Sequence, residues 1–542
     1  MKHAIILTLV VLLATSPILA QAPAQHDHAA AQTDQVGGDS VSFLTSCAPA
    51  LRQDFNRAVA LLHSFWFAQA AAAFEGVAAK DPSCAIAHWG VALSRWGNPF
   101  AGLRSAQQIE LGRAAIQKAQ ATGSPTPRER AYINAVAELF TSGDAGTQRA
   151  RTVAYEQAME RLVRDFPGDM EARIFYALAA NQTALASDRK FTQQLKAAAI
   201  LEPLFKEHPK HPGLAHYIIH AYDHPPLAEK ALSAARSYAS LAPAVPHALH
   251  MPSHTFTRVG FWKESIDTNR RSAEAALKEG ATAEALHAMD YQAYAYLQIA
   301  QDEEARRVAG EARAAGAKLD PNATGAAAPG VAGVYAVAAI PARLALERGA
   351  WAEAAALTPK QSSFPFTDAI THFARAIGAA RSGNPKAAAA DIERLAALRD
   401  TLKTMQDAYW AEQVDIQRQI AVAWVTFAEG DRPRGIELLR AAAVAEDATD
   451  KSAISPGPLA PARELLGYML LEASRPADAL VEFEATIKKE PNRFLGLYGG
   501  ARAAELAGQR ARAIALYKQL LQVAGESTSD RAELKQARNF VR

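Results

Sequence analysis

Apolar residues along this chain recur three and four positions apart, the spacing of one buried helix face, and the pattern itself repeats at a distance of 34 residues. Ala479, Phe483 and Pro491 stand at offsets 0, 4 and 12, and Ala513 and Tyr517 follow 34 positions later. Ala70, Phe74 and Pro82 keep the same offsets, while Gly349 with Ala354 and Gly383 with Ala388 repeat a small-residue pair. Ala231 with Pro243 and Leu201 with Pro209 carry the pattern through the middle. A small residue lets two helix backbones approach closely, an aromatic one turn on fills the groove beside it, and a proline stops the second helix. The pattern predicts antiparallel helix pairs, no strands, and turns near Gly260, Gly349 and Gly383. Such pairs cannot bury their apolar faces alone, so they stack into a superhelix.

These residues at this period resemble the tetratricopeptide repeat family. The resemblance implies an all-α, right-handed α-solenoid of antiparallel helix pairs built from 34-residue repeats. It also implies a concave groove, lined by positions 2, 5, 9, 12 and 13 of each first helix, that binds a peptide or protein partner. The clearest units are 51–84, 178–211, 212–245, 246–279, 335–368, 369–402, 460–493 and 494–527. Residues 286–319 and 417–450 fit with short insertions, the first needing six residues at 280–285, and 85–177 is helical but irregular. Stretches rich in turn formers, 320–333 and 450–461, are expected as loops and hinges. The chain then divides into amino-terminal repeats over 41–177, a histidine-rich middle over 178–319, a linker over 320–334 and carboxy-terminal repeats over 335–542.

The amino terminus has a different character. Met1, Lys2 and His3 precede an apolar run, Ala4 to Ala14, too short to span a bilayer as a mature helix; small residues follow at Ala20 and Ala24. This is the pattern of a cleaved export signal over 1–24. Residues 25–40 are small and polar and are expected to form a flexible leader. No later stretch reaches 18 apolar residues without a charge, so no membrane span is expected. Export would place the mature chain in the periplasm or outside the cell, where Cys47 and Cys84, at the starts of successive first helices, are expected to form a disulfide. The balance of 58 Lys+Arg against 56 Asp+Glu lacks the clustered basic surface that a nucleic-acid partner requires.

Histidine is the one residue type that a plain scaffold would not place as this chain does. Of 15 histidines, eight fall between 208 and 254: His208, His211, His216, His220, His224, His247, His250 and His254. His216 and His220 occupy positions 5 and 9 of one unit, and His250 and His254 the same positions of the next, shifted by 34. Side chains four apart stack on one helix face, and neighbouring first helices of a solenoid stand roughly 10 Å apart, so the four imidazoles are expected to converge on one point. That is the arrangement of a metal site, although a groove recognising an acidic peptide would use the same side chains. By the family resemblance these positions face the groove. His247 joins them at position 2, and His287 and Asp290 are expected in the same shell one unit later, with Asp223 and Arg258 around them.

Other histidines, His63, His88, His208, His211, His224 and His372, are read as ordinary hydrogen-bonding residues, and His26-Asp27-His28 as a weak chelating pattern in the leader. Phe65-Trp66-Phe67 is read as a cap sealing the apolar end of the first unit. No HExxH, GxSxG, GxxxxGK[ST] or strand-borne GxGxxG occurs, so the chain lacks the local signatures of zincins, serine hydrolases and nucleotide enzymes. Two function classes remain. The first is an exported scaffold whose groove binds a peptide or protein. The second is a metalloprotein or metal-dependent enzyme holding a divalent transition metal, zinc or copper before nickel or iron, through His216, His220, His250 and His254.

Overall fold

The computed structural model describes residues 35–185, 187–323 and 325–542. The expected export signal and the His26-Asp27-His28 pattern lie outside them. Among the described residues every regular element is a helix, and successive helices pack against one another in pairs, forming an α-solenoid. The first unit shows how the repeat residues work. Helix Arg52–His63 buries Phe55, Val59 and Leu62, and helix Phe67–Lys80 returns over it with Ala70 and Phe74 buried. A Cβ on Gly90 of the next helix would lie 2.5 Å from the Phe74 ring, and one on Gly499 would lie 2.2 Å from Phe483. The small residue and the aromatic one are therefore two halves of one helix crossing.

Units expected at 51, 212, 246, 460 and 494 open within two residues of the helices Arg52–His63, Pro212–Ala221, Pro246–His250, Ala462–Glu472 and Phe494–Leu506. Elsewhere local capping overrides the period. The unit expected at 178 opens with Met170–Gln182, because the Asp169 side chain accepts from Ala172 N and starts that helix earlier. The unit expected at 417 opens with Ala408–Ala428 behind the Asp407 cap. Helices Gly330–Leu346 and Pro365–Arg381 likewise begin earlier than 335 and 369, and Thr282–Gln298 runs through most of the insertion expected at 280–285.

Residues 35–40 of the expected leader are packed: Val36 is buried, and Gln35 O accepts from Ala244 N. The linker is also tied down. Ala68 N donates to Gly325 O, Asn98 Nδ2 to Ala327 O, and Ala327 N to Glu284 Oε1. One apolar core runs from Val36 to Phe256 and takes in Ala327 of the linker, a small one runs from Trp262 to Ile340, and a third from Ala300 to Ala537. The break therefore falls inside the histidine-rich unit, not at 177. Cys47 and Cys84 form the expected disulfide, with Cα atoms 4.8 Å apart.

The carboxy-terminal units fold back onto the middle. Trp262 Nε1 donates to Asn492 O at 2.8 Å, Phe494 N to Gln298 Oε1 at 3.0 Å, and Arg493, fully buried, lies between Glu347 and Glu464 at 2.8 and 2.7 Å. Gly260 makes this closure possible twice over. It turns the chain at φ 72°, and a Cβ there would stand 2.2 Å from Pro491 O. Residues 448–461 then pack against the helices Thr282–Gln298 and Gly330–Leu346. Tyr291 OH donates to Ser455 O at 3.1 Å, and Arg343 donates to Gly457 O and Pro458 O at 3.0 and 3.1 Å. Residues 448–461 thus cover the helix that carries His287, while His220 borders an open cleft.

Candidate metal centre

Four helices bring the histidines together. Pro212–Ala221 carries His216 and His220, Pro246–His250 carries His247 and His250, Pro252–Val259 carries His254, and Thr282–Gln298 carries His287. Proline at the first position of three of them sets their starts, since its missing N–H has no partner to lose there. Two sets of three imidazoles result: His216, His220 and His247, and His250, His254 and His287, the ligand atoms within each set lying within 4.8 Å of one another.

In the first set His216 Nε2 lies 3.1 Å from His220 Nε2 and 3.2 Å from His247 Nε2. His216 Nδ1–H donates to His63 O at 2.6 Å, which assigns its proton to Nδ1 and leaves the Nε2 lone pair facing the other two rings. In the second set His250 Nε2 and His254 Nε2 stand 3.1 Å apart. His250 Nδ1–H donates to Asn269 Oδ1 at 2.7 Å, and His254 Nδ1–H donates to Asp223 Oδ2 at 2.8 Å. Asn269 is held in that orientation because its Nδ2 donates to Ser265 O at 2.7 Å. Both Nε2 atoms therefore present lone pairs to each other in a buried place. His287 adds a buried ring whose Nδ1 has no hydrogen-bond partner. Two nitrogens each about 2.0–2.1 Å from a tetrahedral metal lie roughly 3.3–3.4 Å from one another, and the three pairs at 3.1–3.2 Å come close to that spacing.

The expected convergence of His216, His220, His250 and His254 on one point does not occur. Each i, i+4 pair takes its third imidazole from elsewhere instead: His247, one turn before His250, meets the first pair, and His287 from the next helix meets the second. The sets still adjoin: His247 and His250 are one turn apart on one helix, their ring centroids separated by 6.4 Å. Asp290 is in neither set. It accepts from Arg343 Nε at 2.9 Å with both side chains fully buried, so that ion pair, and not a shared ligand shell, is its role.

Burial lowers the pKa of all six histidines, to about 3 for His216 and His287 and well below the ordinary value for His220, His247 and His250. His254 is also lowered by burial, with the Asp223 carboxylate acting in the opposite sense. All six are neutral donors at pH 7. Asp223 itself accepts from Arg258 Nε at 2.9 Å, and Arg258 Nη1 reaches Asp450 Oδ1 at 2.9 Å, which matches the supporting roles expected of Asp223 and Arg258.

Several neighbours have no signal in the repeat pattern. Phe65, at φ 58° in the turn between the first two helices, packs its ring 4.4 Å from His216 and 5.4 Å from His247. It walls the histidine set rather than capping a solenoid end. Phe100 lies 4.4 Å from His220 and Tyr238 4.9 Å from His216. Tyr291 stands 4.9, 5.1 and 5.3 Å from His250, His254 and His287. Lys451 donates from Nζ to Tyr291 OH at 3.3 Å, its pKa lowered by burial to about 8.

Among the remaining histidines, His63 and His211 pair with opposite oxygens of buried Glu171 at 2.8 and 3.0 Å, His224 with Asp450 at 2.8 Å, and His372 with Asp391 at 2.7 Å. His224 and His372 are thus ordinary hydrogen-bonding residues, whereas His211 Nδ1 is buried without a partner and His63, Glu171 and His211 form a third buried group with ligand atoms within 4.8 Å of one another. Burial pushes the Glu171 carboxyl up, and the two histidines beside it more than reverse this, leaving it well below the usual carboxylate range.

No family model and no curated protein sequence matches the chain. Among the solved structures that align with it are the P58(IPK) TPR domain (12% identity, 77% of this chain and 98% of that one, TM-score 0.21), yeast Tom70 (9%, 90% and 88%, TM-score 0.28), and the APC/C hetero-tetramer Cut9–Hcn1 (11%, 90% and 89%, TM-score 0.31). At these scores the overlays carry no argument, and the solenoid rests on the helix pairing itself. Among the described residues no helix is long and apolar enough to cross a membrane.

Proposed function

We propose that the chain is a metalloprotein, an α-solenoid that holds two divalent transition-metal ions, zinc or copper, through His216, His220, His247 and through His250, His254, His287. One observation carries this reading. His250 and His254 have both Nδ1 protons committed to acceptor oxygens, so their Nε2 lone pairs face each other at 3.1 Å with no proton between them. Two buried acceptors in contact are unfavourable, and a cation between them removes the conflict. All-imidazole donors suit zinc, copper, nickel or iron. Three donors per ion leave a position open, the arrangement of ions that activate water or bind a substrate, so metal-dependent catalysis belongs to this reading. Metal analysis of the purified mature protein tests it: two transition-metal ions per chain are expected, and a metal-free chain that takes up none on addition of zinc or copper would refute it.

A second reading, binding of a peptide or protein partner, is supported by a cleft of about 1160 Å³ bordered by His220, with exposed Leu103 and Leu185 on its rim. Replacing both leucines by glutamate should abolish capture of such a partner. The Cys47–Cys84 disulfide supports an oxidising location outside the cytoplasm, periplasmic or secreted, and cell fractionation of the tagged full-length chain tests that.

A further inference from the structure

The two histidine sets differ in their surroundings. Of the six rings, only His220 lines the cleft of about 1160 Å³, and it alone is half-buried rather than buried. Phe100 and Asp223 flank it there. A cleft of this size accommodates a small organic molecule, whose sites span about 300–1,000 Å³. His250, His254 and His287 are 3%, 3% and 7% exposed and line no part of that cleft. Tyr291 lies against all three of their rings, and its hydroxyl is held by Ser455 and Lys451 of the 448–461 segment. That segment is anchored at its start by Asp450, which pairs with Arg258 and His224 at 2.9 and 2.8 Å, and further on by Arg343.

We infer that the two ions divide their work: the ion on His216, His220 and His247 exchanges small donor ligands through its open position at the cleft, while the ion on His250, His254 and His287 is sealed and structural. This rests on the metal reading above. The cleft side then takes a small molecule offering an oxygen or nitrogen donor to the first ion, with the Phe100 ring as an apolar wall beside the binding point. The sealed ion ties four segments into one body: it joins Pro246–His250, Pro252–Val259 and Thr282–Gln298, and it braces the covering segment through Tyr291.

Azide titration of the copper(II)-loaded full-length protein, read by the azide-to-copper charge-transfer absorption with metal content measured on the same samples, tests the inference. Wild type is expected to hold two coppers and bind one azide. His254→Gln should keep one copper and the full azide absorption, whereas His220→Gln should keep one copper and lose the absorption. Two azides in wild type, none with both coppers present, or undiminished azide binding in His220→Gln would overturn the inference while leaving the metal reading intact. No copper in wild type would overturn the metal reading itself. The wild-type stoichiometry decides even where a variant fails to fold.

Discussion

Replacing Asp223 by Asn separates the two ions energetically. The carboxylate accepts His254 Nδ1–H at 2.8 Å and Arg258 Nε–H at 2.9 Å, and Lys451 Nζ stands 3.7 Å away. Burial would raise its pKa, but Lys451, Arg258 and His254 hold it well below the carboxylate range, so it is charged. Asparagine keeps the shape and removes the charge, and its amide NH₂ turns a donor toward donors. Loss of such a partner behind a ligating histidine weakens metal binding by about 10–100-fold, or about 1.4–2.7 kcal/mol. Breaking a buried ion pair destabilises by about 3–5 kcal/mol when the other charge is left alone. Arg258 retains Asp450, so the loss here should fall below that range. Competition with a chromogenic chelator, followed together with the circular dichroism of the same samples, should show one ion weakened 10–100-fold and the other unchanged, because His216 is held by a backbone carbonyl and not by Asp223. Asp391→Asn removes a like contact from His372, outside both sets, and should leave both affinities unaltered. Unchanged binding in Asp223→Asn, or equal weakening of both ions, would refute the assignment of His254 and its support to one of two separate sites.

Asp290→Asn should leave metal content at two ions while destabilising the fold by about 3–5 kcal/mol through the orphaned Arg343, read by chemical denaturation; loss of an ion would restore Asp290 to the ligand shell. Joint replacement of Cys47 and Cys84 by Ala should lower stability by about 3–4 kcal/mol by reopening a 37-residue loop, measured the same way under non-reducing conditions. Acidification has two expected effects. The folded-state pKa values of His216, His220, His247, His250 and His287 lie below the unfolded value of 6.5, so in metal-free protein the unfolded chain binds more protons, and these histidines' contribution to stability is lost progressively as pH falls below about 6.5. Metal affinity of the folded chain should stay level between about pH 7.5 and 5.5, since protons compete only below the folded values; a loss of about tenfold per histidine per pH unit in that window would contradict their burial.

The repeat was legible because it is local. Ala70 with Phe74 and Ala479 with Phe483 mark helix crossings within one or two units, and the cysteine pair closes across neighbouring first helices. The same periodicity placed His216 with His220, and His250 with His254, on common faces. What it misjudged were helix starts, which Asp169, Asp407 and Pro365 set by satisfying or omitting backbone N–H groups and not by period. The grouping of six histidines into two sets of three was not legible in the spacing, since it depends on which rings of neighbouring helices meet and on His287 arriving from a helix whose start the period misplaced. Lys451, Tyr291, Phe65 and Phe100 carry no periodic mark at all. Lys451 reaches the site because the carboxy-terminal units return to Gly260 and bring 448–461 against Tyr291, one turn beyond His287, while Phe65 and Phe100 arrive from the amino-terminal units. A 34-residue period determines which side chains share a helix face, since that is fixed by the 3.6-residue turn within each helix. It leaves open which distant faces meet, because small rotations at every helix crossing accumulate along the solenoid and only the packed whole decides where they close.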